Sequence, residues 1–141
     1  MLVMNATDVR NDWSTVTETV IREKPAFIKR TRDHMVLMNI TMLESLLTPY
    51  TFTAQSFVET DGSITLSLDQ IDLIENGKTE AEAKQELAKA IIDYAEDYYN
   101  QFSVWNAAPN RKAHFPYVLK SLILNDPKEI GELIQCQAGK S

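Results

Sequence analysis

Apolar residues recur along this chain with two different periods, and each change of period marks an element. Leu2-Val3-Met4 is a short apolar run followed by Asn5 and Thr7, two good helix N-caps, with Asp8 suited to the positive end of a helix dipole. A strand handing over to a helix is predicted there. Val9, Trp13, Val16 and Val20 follow at spacings of four, three and four, which predicts one amphipathic helix of about four turns with these residues on its buried stripe. Pro25 ends it, because the residue before a proline is pushed out of helical geometry. Ala26 to Thr31 and Met35 to Ile40 read as two strands joined at Arg32-Asp33-His34, a hairpin without the usual glycine. Met35-Val36-Leu37-Met38 is apolar on both faces and needs a cover on each; a second copy of the chain is one solution. Asn39 or Thr41 can cap a short helix through Leu47, with Thr41 and Glu44 spaced as a capping box, before Pro49 closes the unit.

Beyond Pro49 the pattern starts again. Thr51 to Glu59 is rich in β-branched and aromatic residues, Thr60-Asp61-Gly62-Ser63 is a turn, and Ile64-Thr65-Leu66-Ser67-Leu68 alternates cleanly, so a second hairpin is predicted. After Asn76-Gly77, Thr79 and Glu82 form a capping-box pair that opens a long helix. Ala83, Leu87, Ile91, Tyr94, Tyr98 and Phe102 trace one face of it, widened by Ile92 and Tyr99. Tyr117 to Leu124 reads as a further short helix. Asn125-Asp126-Pro127 is a cap with proline at the first helical position, opening a last helix to about Gln135. The expected fold class is therefore α+β: a module of strand, helix, hairpin and short helix over residues 1–48, then a hairpin-plus-helices unit over residues 49–141.

Composition fits a folded chain of one domain or two small ones: 141 residues, 44% hydrophobic and 24% charged. No apolar run approaches the roughly 20 residues that cross a bilayer, and the first residues lack the pattern of a signal peptide. No membrane association and a cytoplasmic location are the expectations. Cys136 is the single cysteine, so cysteine pairing within the chain and a thiolate metal cage are excluded. His34 and His114 have no metal-ligand partner at helical spacing, and the sequence holds neither a phosphate-cradling glycine loop nor a nucleophile motif. Asp93, Glu96 and Asp97 read as solvated helix charge. No enzyme activity, metal or cofactor is expected. The net charge of −6 is unevenly spread: residues 1–47 hold six basic and six acidic side chains, whereas 8 basic residues face 14 acidic ones after residue 47. Within residues 24–34, Lys24, Lys29, Arg30 and Arg32 are opposed only by Asp33, a local surplus suited to phosphates.

The order of elements up to residue 47 resembles the N-terminal module of the Phd/YefM antitoxins. Asn5-Ala6-Thr7-Asp8-Val9-Arg10-Asn11 is similar to the family's opening of a polar residue, Ala, Thr or Ser, Glu, Ala, Arg and Asn. Pro25-Ala26-Phe27-Ile28-Lys29-Arg30 is similar to its first hairpin strand, and Met35-Val36-Leu37-Met38-Asn39 to its apolar second strand running into a helix cap. The resemblance covers residues 2–47 without gaps and departs from the family at the turn and in the long remainder. It implies a homodimer that binds palindromic operator DNA, represses its own operon and neutralises a toxin. The arginines it assigns to DNA are Arg10, near the helix start, and Arg30, in the first hairpin strand; a planar guanidinium grips phosphate or guanine bidentately. Asn11, Lys29 and Arg32 are further phosphate candidates. The acidic remainder is expected to cover a basic toxin, a small ribonuclease, with Tyr98, Phe102, Trp105, Tyr117 and Leu122 as anchors. The alternative is an interaction adaptor that keeps the dimerisation fold and binds no DNA.

Overall fold

The computed structural model describes residues 2–139 and divides into two compact units, Met1–Leu46 and Leu47–Ser141. Helices and strands are mixed throughout, and the fold is α+β.

In the first unit β1 (Met4–Asn5) leads directly into α1 (Ala6–Asn11) and α2 (Trp13–Arg22), followed by the hairpin β2 (Ala26–Arg30) and β3 (Asp33–Leu37) and by α3 (Ile40–Leu47). The sheet order is β1-β2-β3, with β1 parallel and β3 antiparallel to β2. Val9, Val16 and Val20 from the helices bury themselves against Ala26 and Ile28. The single long helix expected here is two helices. The chain breaks at Asp12, whose backbone leaves helical geometry (φ −124°, ψ 37°) while its N–H still bonds the Asp8 and Val9 carbonyls. Aspartate is a weak helix former in an interior. The hairpin turn also differs. Arg30 pairs with Asp33, so Thr31 and Arg32 alone form the loop and β3 starts two residues earlier than expected. Thr31 takes the positive φ, 56°, that a glycine supplies in most such turns. Asn39, rather than Thr41, caps α3: its Oδ1 accepts from the Thr41 N–H at 2.7 Å, and its Nδ2 donates to the Ile21 carbonyl at 2.9 Å, which fastens the start of α3 to the end of α2.

The second unit opens with β4 (Thr53–Val58), β5 (Ile64–Leu68) and β6 (Ile74–Gly77), continues through α4 (Glu80–Asn100), α5 (Phe102–Trp105), a 3-10 turn at Lys112–His114, α6 (Phe115–Leu124) and α7 (Pro127–Leu133), and ends in β7 (Gln135–Ala138). The sheet order is β6-β5-β4-β7, and β7 lies parallel to β4. The core forms where Phe52, Ala54, Leu66 and Leu68 from the sheet side meet Ala83, Leu87, Ile91 and Ile130 from the helices. α4 starts as its sequence demands. Thr79 Oγ1 accepts from the Glu82 N–H at 3.1 Å, and the Glu82 carboxylate reaches back to the Lys78 N–H at 3.0 Å. β6 passes so close to this helix start that a methyl group on Gly77 would collide with the backbone of Glu82 and Ala83. Asn125 ends α6 in left-handed geometry, and Asp126 caps α7 through the Lys128 N–H at 3.0 Å. The expected helix to Gln135 stops at Leu133, where the chain turns into β7. Tyr99 does not widen the buried face of α4; it is exposed. Among the described residues no helix is long and apolar enough to cross a membrane.

Candidate functional site

Five basic or polar residues of the first unit were marked by the sequence, and the fold sorts them by direction. Strand alternation puts Arg30 on the same sheet face as Ala26 and Ile28, the face that the helices cover, and Lys29 on the opposite face beside Phe27. Arg32 stands at the tip of the hairpin. Arg10 lies in the last turn of α1, with Asn11 after it, where a cation suits the negative end of the helix. Arg10 lines an open groove of about 480 Å³ together with Val9, Trp13, Ile28 and Met35. The structure thus brings Arg10 and Arg30 to one side of the sheet and turns Lys29 away. Among the described residues none of Arg10, Lys29, Arg30 and Arg32 is engaged in an ion pair.

The groove is apolar and uncovered. Trp13, expected on the buried stripe, is 54% exposed and forms the wall between this groove and a second one lined by Val20, Ile21, Leu37 and Ile40. Met35 and Val36, the middle of β3, are about half exposed, at 49% and 50%. Leu37 of this strand packs against the cluster of Val9, Val16 and Val20, whereas Met35 on the same face stays half exposed, and Val36 alternates onto the face away from the helices.

In the second unit the expected anchors divide: Tyr98 is internal, Trp105, Tyr117 and Leu122 are half-buried, and Phe102 is partly exposed. Tyr98 is fully buried, which corrects its assignment to a partner surface. Its hydroxyl shares a proton between Asn106 Oδ1 (2.7 Å) and the Arg111 carbonyl (3.1 Å), and burial raises its pKa, so it stays a donor. Trp105 is half-buried, packs edge-on against Tyr98 and carries the Arg111 guanidinium 4.0 Å above its ring. Tyr117 stands edge-on to Tyr50 and tilted against Phe52, and Leu122 packs beside Val118. Phe102 is partly exposed, between the rings of Tyr98 and Phe115. Through Tyr98, the residues Phe102, Trp105, Asn106 and Arg111 hold the segment 101–114 onto α4. His114 belongs to the same group: its Nδ1 is 2.6 Å from the Tyr94 hydroxyl, and burial, with the Arg111 charge, lowers its pKa despite the opposing pull of Asp72. Burial, helped by Glu80, pushes the Cys136 thiol up to about 11, so it is no thiolate at neutral pH. Among the described residues no group of three His, Cys, Asp or Glu is placed to hold a metal ion.

Two comparisons bear on what this arrangement serves. The crystal structure of an antitoxin part of a candidate toxin/antitoxin system from Syntrophomonas wolfei subsp. wolfei is similar over 98% of this chain and 99% of that one, with a TM-score of 0.92 and 36% sequence identity. A family model described as PHD-like, an antitoxin of RelE/RelB toxin–antitoxin systems, matches residues 1–136. The chain belongs to the PHD-like antitoxins. No curated protein sequence matches it. Both matches run through the second unit as well as the first, so the antitoxin family extends well past the 46 residues on which the sequence resemblance rested. A cognate toxin is the partner that an antitoxin implies. Sequence reasoning overlooked the exposed side chains of this antitoxin's second unit, Tyr99 and Val104, because a periodicity argument assigned one to the core and passed over the other.

Proposed function

We propose that this antitoxin is of the Phd/YefM kind and works in a type II system in the cytoplasm. Its first unit pairs with a second copy, and the pair binds operator DNA through Arg10 and Arg30 and represses its own operon. The acidic second unit neutralises the toxin, a small basic ribonuclease. The observation that carries the DNA reading is the juxtaposition of an uncovered apolar groove with two arginines, Arg10 on its rim and Arg30 on the same side of the sheet, neither engaged in an ion pair. A two-fold pairing through Trp13 and Met35 removes apolar surface from water and doubles the guanidinium set, which is what a palindromic duplex requires. Arg32, at the hairpin tip, adds phosphate contacts at the margin, as does Asn11, whereas Lys29 faces the other way and takes no part.

The test is a mobility shift on the protein's own promoter fragment over a salt series. Arg10→Ala is expected to weaken binding by about 10–100-fold, the range for one lost bidentate contact, and to flatten the dependence on salt. Capture of the toxin stays intact. Equal operator affinity for the variant and the wild type would remove Arg10 from the interface.

A further inference from the structure

We propose that the toxin docks on the outer face of the last two turns of α4 together with α5, and that the surface it presents there is a cluster of lysines and arginines around an apolar pocket. The proposal deepens the antitoxin reading and rests on it.

Charge along α4 is ion-paired in its first half and unopposed at its end. Glu80 pairs with Lys84 at 3.9 Å, and Glu86 with Lys89 at 3.3 Å. Asp93, Glu96 and Asp97 are all exposed, and among the described residues none is engaged in an ion pair. No basic residue stands in the last turn of this helix. Carboxylates near a helix C-terminus face the negative end of its dipole, and Asp93 and Asp97, one turn apart, repel each other. The fold therefore gains nothing from these three charges. A cationic partner would relieve both penalties at once.

One turn after Glu96 stands Tyr99, while Asp93 and Asp97 lie further round the exposed side of the same helix, and large side chains that the core does not bury follow. Tyr99 is 65% exposed and Val104 68%, with the open edge of Phe102 between them in sequence. An exposed aromatic ring with a polar tip and an exposed aliphatic side chain, on an element whose other exposed positions are carboxylates, have the composition of interface anchors with a polar rim. The signs of the charges select the occupant. Nucleic acid brings phosphates against carboxylates, and a second copy meeting this face symmetrically brings Asp93 and Asp97 against their own kind. A basic protein is attracted, and its encounter rate rises in the opposite field.

The experiment uses the full antitoxin and the toxin encoded by the adjoining gene, with affinity measured at about 50 mM and about 500 mM salt, on either side of effective screening. Asp93→Lys combined with Asp97→Lys is expected to lower toxin affinity at least about tenfold at low salt and much less at high salt. Tyr99→Ala is expected to lower it about tenfold at both. The charge-reversed protein stays folded, since the gain at the helix end offsets the repulsion between the new lysines, and it shifts its promoter unchanged. Wild-type toxin affinity in the charge-reversed variant at low salt overturns the assignment of this face alone. Failure of the unaltered antitoxin to bind that toxin overturns the toxin-neutralising role proposed for the second unit, and this assignment with it. A change in self-association with toxin affinity intact gives the face to a second copy, which also overturns the proposal.

Discussion

Replacing Tyr98 with phenylalanine separates a structural role from a partner-binding one at a position where the sequence pointed to a partner. The ring sits at zero exposure, with centroids 5.7 Å from Phe102, 5.9 Å from Trp105 and 6.0 Å from Tyr94, and phenylalanine keeps all three contacts. What disappears is the proton shared by Asn106 Oδ1 and the Arg111 carbonyl. Both acceptors belong to half-buried residues, so water replaces part of the loss, and the cost falls near the low end of the usual range, about 1 kcal/mol. For a unit of this size that lowers Tm by about 4–8 °C, measured by scanning calorimetry on the whole chain. Tyr98→Ala, which also empties the site of the ring, is expected to cost about 3–5 kcal/mol. Toxin and operator affinities of Tyr98→Phe, measured well below its melting point, stay at wild-type values. A Tyr98→Phe protein that melts with the wild type, or one that keeps its Tm and loses the toxin, would refute the structural assignment.

Two further measurements probe the same unit. Thr79→Ala removes the acceptor for the Glu82 N–H and is expected to cost about 1 kcal/mol in urea unfolding, while Thr79→Ser retains the wild-type midpoint within error. His114 has a lowered pKa in the folded chain, so the unfolded chain binds its proton first: stability is complete above the ordinary histidine value of about 6.5 and declines as pH falls below it toward the folded value. Tm is thus expected to drop between about pH 7.5 and about pH 5.5, and His114→Gln flattens that drop; an unchanged slope in the variant would show that His114 is not its source.

Local chemistry made much of the fold legible. Thr79 with Glu82, Asp126 with Pro127, and the alternation of Ile64 to Leu68 each specify a structure within a few residues, and each is found in place. Elements that depend on distant neighbours were not. β6 is Ile-Glu-Asn-Gly and β7 is Gln-Cys-Gln-Ala, sequences with little strand preference of their own. They are extended because β5 and β4 offer unpaired backbone groups, which no short window reveals. The site was legible in chemistry and less so in direction. Arg10 and Arg30 were singled out by type and position, but periodicity alone could not tell that Trp13, on the correct stripe, stands beyond the reach of the sheet. Tyr98 was misread for the opposite reason. An aromatic residue at the end of a helix looks like an anchor until the chain that folds back over it, residues 101–114, is seen to bury it.

The parallel pairing of β7 with β4 joins the two ends of the second unit. During synthesis β4 leaves the ribosome some eighty residues ahead of β7, which spans 135–138, and until then one of its flanks offers bare amide and carbonyl groups to any extended chain nearby. The nascent antitoxin therefore carries an adhesive margin that its own last strand seals.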